Sequence, residues 1–115
     1  MAKILVVEDE AMVLVLAESV LQDAGHETVT ASNFPQAEAI MKSDQRLDLI
    51  FTDLNLEDQL DGGLKVGALA HVPVLYTSGR PLTDGMKELF ASRSAFLPKP
   101  YTNHQVVEAV AALLN

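Results

Sequence analysis

Five short apolar runs, rich in β-branched residues, alternate along this chain with segments that have helical spacing. The runs predicted to form strands are Lys3–Val7, Glu27–Ala31, Leu47–Thr52, Val72–Thr77 and Ala95–Pro98. Strands that alternate with helices form parallel sheets, and helices cover both faces of such sheets. The alternation therefore predicts an α/β fold around a five-stranded parallel sheet.

The first two helices have recognisable starts and stops. Helix one is predicted over Glu10–Ala24, because Gly25 stands where a C-terminal helix stop is expected. Ser32 or Asn33 can cap the second helix, which has Pro35 in its first turn. These signals place each helix between two predicted strands.

The sequence signals for the later helices differ in strength. Asp84–Ser92 is predicted to be a helix, and Thr102 with Gln105 fits a capping box at the start of the last one. After a Gly-Gly pair, Leu64–Ala70 remains for helix three, and Gly67 interrupts it. Since glycine is a weak helix former, we expect a shortened helix three of about two turns at most.

Composition limits the classes of protein that fit. The chain has 115 residues, of which 49% are hydrophobic, which suits a single domain over residues 1–115 with a sizeable core. The formal net charge of −8 argues against a nucleic-acid partner, which would require clustered cations. Acids interrupt the apolar N-terminal runs, so neither a signal peptide nor a membrane span is expected, and a cytoplasmic location is the default.

Polar residues collect where the predicted strands end. In a parallel sheet the functional groups gather outside the carboxyl ends of the strands, so these residues are expected to share one rim. They are Glu8 and Asp9 after strand one, Asp53 after strand three, Thr77 with Ser78 at strand four, and Lys99 after strand five.

This set of side chains suits phosphoryl transfer. Clustered carboxylates repel one another unless a cation offsets them, and Mg²⁺ prefers one or two carboxylates, a carbonyl and several waters. A lysine adds a second positive charge for the oxygens of a phosphoryl group. A carboxylate can also act as the nucleophile and form an acyl phosphate. We therefore predict phosphoryl transfer onto Asp53, with Thr77 donating a hydrogen bond to a phosphate oxygen.

Four segments together resemble the marker segments of a known family. "ILVVEDE", "LIFTDLNL", "VPVLYTSG" and "FLPKPY" occur in the order found in the receiver domains of two-component response regulators. The resemblance extends from Lys3 to the C-terminus and implies a flavodoxin-like (βα)₅ fold, a doubly wound parallel sheet. It also implies signalling by an aspartyl phosphate, with at most self-catalysed phosphorylation and dephosphorylation.

The resemblance implies a role for each rim residue. Asp53 matches the phosphoacceptor, Asp9 a direct Mg²⁺ ligand, and Glu8 an acid that acts on the metal through water. The remaining matches are Asn55, whose backbone carbonyl completes the metal site, Thr77 and Phe96 as switch residues, and Lys99 as the partner of the phosphoryl group. A cis peptide between Lys99 and Pro100 is also implied, and the two prolines that flank Lys99 are expected to direct its side chain to Asp53.

The expected partners are a histidine kinase or histidine phosphotransferase and a downstream protein target. In receivers, helix one packs on the helical bundle of the phosphodonor. Val13, Leu16, Val20 and Leu21 suffice for the core-facing stripe of this helix. Leu14 and Val15 are then predicted to point away from the core, either as a docking face or as stray apolar surface residues.

Several alternatives remain open from the residues. The chain could be the receiver segment of a hybrid histidine kinase. A phosphohydrolase of the haloacid dehalogenase type also combines an aspartyl nucleophile with Mg²⁺, threonine and lysine, but Asn55 stands where those enzymes carry a second aspartate. The acids Glu57, Asp58 and Asp61 before helix three indicate either a surface shaped by one partner or neutral drift.

Overall fold

The computed structural model describes residues 1–56 and 61–115, and these form one parallel sheet with helices on both faces. The strands lie in the order β2-β1-β3-β4-β5. Their bounds are Lys3–Val7 (β1), Glu27–Ala31 (β2), Leu49–Asp53 (β3), Val74–Ser78 (β4) and Ser94–Pro98 (β5). The α-helices are Ala11–Asp23 (α1), Phe34–Lys42 (α2), Gly62–Leu69 (α3) and Asn103–Leu114 (α4). This is the predicted flavodoxin-like fold.

Two strands differ from their predicted bounds, and the difference places two rim residues inside the sheet. Strands β3 and β4 each begin two residues later than predicted and extend one residue further, so that Asp53 and Ser78 are their last residues. In the sheet register Asp53 pairs with Thr77, and Thr77 pairs with Leu97. The predicted acceptor and the predicted switch threonine are therefore direct neighbours across two central strands.

The sheet separates the hydrophobic core into two layers, as expected from the alternation of side chains along each strand. One layer lies under α1 and α4 and includes Ile4, Val6 and Phe51. The other lies under α2 and α3 and includes Leu5, Ile50 and Tyr76. Tyr76 and Thr77 are consecutive, so their side chains serve opposite faces of the sheet.

The prediction for the inner face of α1 is wrong at two leucines. Leu14 packs against the core, and Leu16 is 62% exposed. The stripe that faces the sheet is Leu14, Ala17 and Leu21, with i, i+3 and i+7 spacing, and Leu16 falls outside it. Val15 is 60% exposed, as predicted.

The predicted helix ends are confirmed at the caps. Gly25 has a positive φ of 95° beyond the end of α1. The side chain of Asn33 accepts a hydrogen bond from Gln36 N at 2.9 Å at the start of α2. Thr102 and Gln105 form the full capping box of α4, with bonds of 2.8 and 3.1 Å.

Helix α3 is short, as predicted, but the glycine pair lies within its first turn instead of preceding it. A Cβ on Gly63 would overlap the backbone of Asp53 and Leu54, so this glycine lets α3 approach the end of β3 closely. Asp61 stands at the N-cap position of α3. The other loop acids of interest, Glu57 and Asp58, lie outside the described residues.

The predicted helix over Asp84–Ser92 is wrong. Its place is taken by a single 3-10 turn, Met86–Leu89. Gly85 precedes the turn in the left-handed region (φ 80°), and Phe90 follows it in an extended conformation. The next backbone donor, Ala91 N, bonds to the hydroxyl of Tyr76 at 2.9 Å instead of to a helical carbonyl. A contact with a distant strand therefore replaces the helical hydrogen bond.

Candidate functional site

The predicted rim residues do come together at the carboxyl edge of the sheet. Glu8 and Asp9 follow β1, Asp53 ends β3, and Lys99 follows β5. Carboxylate oxygens of Glu8, Asp9 and Asp53 all lie within 4.8 Å of one another. The rule that parallel strands present their functional groups at one edge accounts for this cluster.

Lys99 lies between two of the carboxylates. Its Nζ is 2.7 Å from Glu8 Oε1 and 2.8 Å from Asp53 Oδ2. The side chains of Lys99, Glu8 and Asp53 are only 19%, 5% and 9% exposed, so water screens these pairs weakly. The Lys99–Pro100 peptide is cis, as the resemblance implied, and Lys99 N donates to Ser78 O at 2.9 Å. The contact with Asp53 was predicted, whereas the one with Glu8 was not.

Burial and pairing set the protonation of this group. Burial by itself lowers the pKa of Lys99, but the hydrogen bonds and charges of Asp53 and Glu8 outweigh it and raise the pKa above its ordinary value. Burial raises the pKa of Glu8, and the hydrogen bond from Lys99 only partly opposes this. Lys99 is therefore a permanent cation at neutral pH. When all three carboxylates are ionised, the single ammonium leaves two negative charges in the cluster.

Both oxygens of the Asp53 carboxylate have partners. Oδ2 accepts from Lys99, and Oδ1 accepts from the backbone N–H of Asn55 at 3.0 Å. The amide of Asn55 donates in turn to Ser78 Oγ at 3.1 Å, and Ser78 Oγ also accepts from Arg80 N at 3.0 Å. The loop after β3 is thereby linked to the end of β4. Sequence reasoning placed Ser78 on the rim but did not find this contact, which depends on the register of two strands.

The two predicted switch residues lie on opposite faces of the sheet. Thr77 is buried, and its hydroxyl donates to Leu97 O at 2.6 Å. Phe96 is half-buried and packs against the layer that contains Tyr76, its neighbour across β4 and β5. Neither residue contacts the carboxylate cluster through a hydrogen bond in the described residues.

The donor set of the rim fits Mg²⁺. Hard carboxylate oxygens are the ligands that this ion prefers, and it retains several waters when bound. Asp9 is partly exposed and Asp53 is buried, so the cluster has one side open to water and one side fixed in the sheet. The two surplus negative charges match one divalent cation.

An apolar groove of about 580 Å³ adjoins the rim. Its walls include Val13, Leu16 and Val20 of α1 and Pro100 and Tyr101 beyond β5. Met12 and Val15 are further exposed apolar residues of α1. Among the residues that the structure describes, no helix combines the length and apolar character needed to cross a membrane.

Comparison with known proteins gives a consistent result. The family model for the response regulator receiver domain matches residues 4–111. A response regulator receiver protein from Sinorhizobium medicae superposes with a TM-score of 0.90, at 32% identity over 99% of this chain and 94% of that one. A receiver domain protein from Clostridium thermocellum gives a TM-score of 0.83 at 27% identity, over 100% of this chain and 95% of that one.

Curated relatives are longer proteins. The alginate biosynthesis transcriptional regulatory protein AlgB of Pseudomonas aeruginosa is 34% identical over 97% of this chain, which spans 26% of that protein. The corresponding protein of Pseudomonas putida is 30% identical with the same coverage. This chain thus spans about a quarter of the length of these relatives. Fold, rim and family match agree, and the chain belongs to the response regulator receiver domain family, a family of phosphoacceptor signalling domains that act with a kinase or phosphotransfer partner.

Proposed function

We propose that Asp53 is the phosphoacceptor of this receiver domain and that it takes a phosphoryl group from a phosphohistidine donor. The observation that supports this most directly is the position of its carboxylate. Asp53 lies 2.8 Å from the Lys99 ammonium, inside the acidic cluster, and opposite Thr77 in the sheet. No other acid among the described residues combines these three neighbours.

The proposed step transfers the phosphoryl group from the imidazole of the donor histidine to the carboxylate of Asp53. A carboxylate oxygen of Asp53 attacks the phosphorus, the P–N bond to the donor imidazole breaks, and the nitrogen leaves with the bonding electron pair. The product is an acyl phosphate on Asp53. Attack by water later cleaves the P–O bond to Asp53 and releases inorganic phosphate. Both steps would be catalysed by the receiver itself.

Mg²⁺ would be held by the carboxylates of Asp9 and Asp53 and the backbone carbonyl of Asn55, with Glu8 acting through water. When bound, this ion neutralises the charge that accumulates on the phosphoryl oxygens. Lys99 would exchange Asp53 Oδ2 for a phosphoryl oxygen, a short movement for an ammonium that already lies 2.8 Å from the acceptor. Its interaction with Glu8 keeps the ammonium on the rim during the exchange.

The proposed signal is a change in the contacts of Thr77. In the structure described here its hydroxyl donates to Leu97 O, and in the phosphorylated state it would donate to a phosphoryl oxygen instead. Phe96 would move inward with it and change the surface formed by the segment after β4, by β5 and by α4. A downstream protein target would recognise that surface.

The proposed docking face for the kinase or histidine phosphotransferase is the outer side of α1 with its adjoining groove. Val15 and Leu16 supply its exposed apolar side chains, and Leu14 contributes to the core instead. Lys99 and Pro100 also line the groove, so a helix seated in it would bring its histidine near the rim. A cytoplasmic location and an output through protein contact, without nucleic acid or membrane, are part of the same proposal.

The test is phosphorylation by acetyl phosphate, followed by intact mass. We expect one added phosphoryl group on the wild type with Mg²⁺, none without the metal, and none on Asp53→Asn. Asp44→Asn, which changes an exposed acid in the loop after α2, is the matched control and should be phosphorylated like the wild type. An adduct on Asp53→Asn, or none on the wild type, would refute the assignment. Repeated turnover of phosphate esters would favour a phosphohydrolase instead.

A further inference from the structure

Tyr76 is a buried phenol that the proposed chemistry does not use. It lies in β4 directly before Thr77, and its side chain is fully buried between the sheet, α3 and the segment 79–93, which we call the β4–β5 cover. Its ring stacks on Phe90 of the cover at 4.2 Å between centroids, with an interplanar angle of 26°. Its hydroxyl accepts the N–H of Ala91 at 2.9 Å.

Helix α3 is shaped to admit this hydroxyl. A Cβ on Gly67 would overlap the Tyr76 oxygen, so the tyrosine, and not the helix, requires a glycine at this position. Glycine is less favourable than alanine inside a helix, and α3 contains one at the position that the Tyr76 hydroxyl passes. The hydrogen bond to Ala91 is therefore held in place from two sides, by the fit of the phenol against Gly67 of α3 and by its stacking on Phe90 of the cover.

We propose that Tyr76 is a positioning residue for the phosphorylation switch, and that its hydrogen bond to Ala91 holds the β4–β5 cover in the unphosphorylated arrangement. This inference rests on the proposed function of Asp53 and Thr77. Thr77 must give up Leu97 O before it can donate to a phosphoryl group on Asp53. Any shift of the end of β4 that brings Thr77 closer to Asp53 also pulls on Tyr76, whose ring is fixed between Gly67 and Phe90.

The bond between Tyr76 and Ala91 therefore opposes the shift, and its loss accompanies activation. The cover can move once the bond is broken, because its regular structure is limited to a single 3-10 turn that follows the left-handed Gly85. Phe96 pairs with Tyr76 in the sheet and packs in the same layer. A displacement of Tyr76 would therefore move Phe96 as well.

A different mechanism predicts a different result. If Thr77 reached the phosphoryl group by rotation of its side chain alone, the backbone of β4 would stay in place and the contact between Tyr76 and Ala91 would be unchanged. Amide exchange at Ala91 distinguishes the two, because that N–H reports directly on the bond.

The experiment uses beryllofluoride with Mg²⁺ as a mimic of the phosphoryl group. Amide hydrogen exchange of the β4–β5 cover and the apparent affinity for beryllofluoride are measured for the wild type and for Tyr76→Phe, which keeps the ring and its stacking. Ser43→Ala is the control, since it deletes a hydroxyl–backbone hydrogen bond at the end of α2. Gly67→Ala perturbs the same hydrogen bond from α3, because its Cβ would displace the Tyr76 hydroxyl.

We expect beryllofluoride to speed exchange at Ala91 in the wild type, and Tyr76→Phe to show fast exchange without it. Removal of one hydrogen bond made only in the resting state should tighten beryllofluoride binding by about two- to tenfold. Gly67→Ala should shift the affinity in the same direction, and Ser43→Ala should not. Unchanged or weaker binding by Tyr76→Phe, or exchange at Ala91 that ignores beryllofluoride, would overturn the proposal. A wild type that binds no beryllofluoride would instead overturn the function proposed for Asp53.

Discussion

Replacement of Lys99 by methionine removes the only cation bound to the acidic cluster in the described residues while keeping most of the side-chain volume. Lys99 pairs with Glu8 and Asp53, and all three side chains are largely buried. Breaking a buried ion pair by deleting one partner costs about 3–5 kcal/mol, and the partial exposure of Lys99 puts the expectation at about 3 kcal/mol. For a domain of this size that loss corresponds to a fall in Tm of roughly 10–15 °C.

The pH dependence of Lys99→Met follows from Glu8. Burial already raises the pKa of this carboxyl above its ordinary value of 4.5, and loss of the lysine raises it further. A carboxyl whose pKa is higher in the folded than in the unfolded protein destabilises the fold above the folded-state pKa. That cost disappears as the pH falls through it. Lys99→Met should therefore recover stability as the pH is lowered from 7 towards 4.5.

The assay is urea unfolding of wild type and Lys99→Met at several pH values, with and without Mg²⁺. Mg²⁺ should restore more stability to the variant than it adds to the wild type, because it replaces a missing positive charge. Lys42→Met is the matched control, since its pair with Glu38 is 69% and 35% exposed and should contribute less than about 1 kcal/mol. Wild-type stability of Lys99→Met at pH 7, or a variant insensitive to both pH and Mg²⁺, would refute this reasoning.

Three further variants, one of them with a matched control variant, test other contacts. Ser78→Ala should weaken Mg²⁺ binding about two- to tenfold by calorimetry, because the amide of Asn55 loses its anchor; unchanged affinity would contradict this. Gly63→Ala should lower the free energy of unfolding by about 2 kcal/mol or more, as its Cβ meets backbone. Gly79→Ala, whose Cβ would meet no described atom within 4 Å, should cost little in the same urea titration. Leu16→Glu should slow phosphotransfer from a phosphohistidine protein while leaving acetyl phosphate labelling unchanged; equal loss with both donors would argue against docking on α1.

Sequence patterns predicted those parts of the molecule that depend on neighbouring residues or on the parallel-sheet rule. The caps at Asn33 and Thr102 are local hydrogen bonds, and the residue types alone identify them. The meeting of Asp53 with Lys99 follows from strand ends that share one edge. In each case the interaction depends only on residue type and on the spacing of residues along the chain, which the sequence provides.

The errors arose where a distant contact decides the outcome. The segment Asp84–Ser92 has helical composition, but a left-handed Gly85 and the hydroxyl of Tyr76 hold it in a 3-10 turn. In α1 the choice between Leu14 and Leu16 as the inward residue depends on the rotation of the helix on the sheet. Residues 11–17 form an unbroken apolar run, which fits two rotations of the helix almost equally well, so spacing alone did not separate them.

The fit between Gly67 and Tyr76 has a consequence for the history of the family. A side chain at position 67 and a phenol at position 76 cannot occupy the same space, so the two positions are not free to mutate independently. A chain without the tyrosine would have room for a side chain at the position of Gly67. Across a large alignment the two columns should therefore covary, even though the two positions are nine residues apart in the chain.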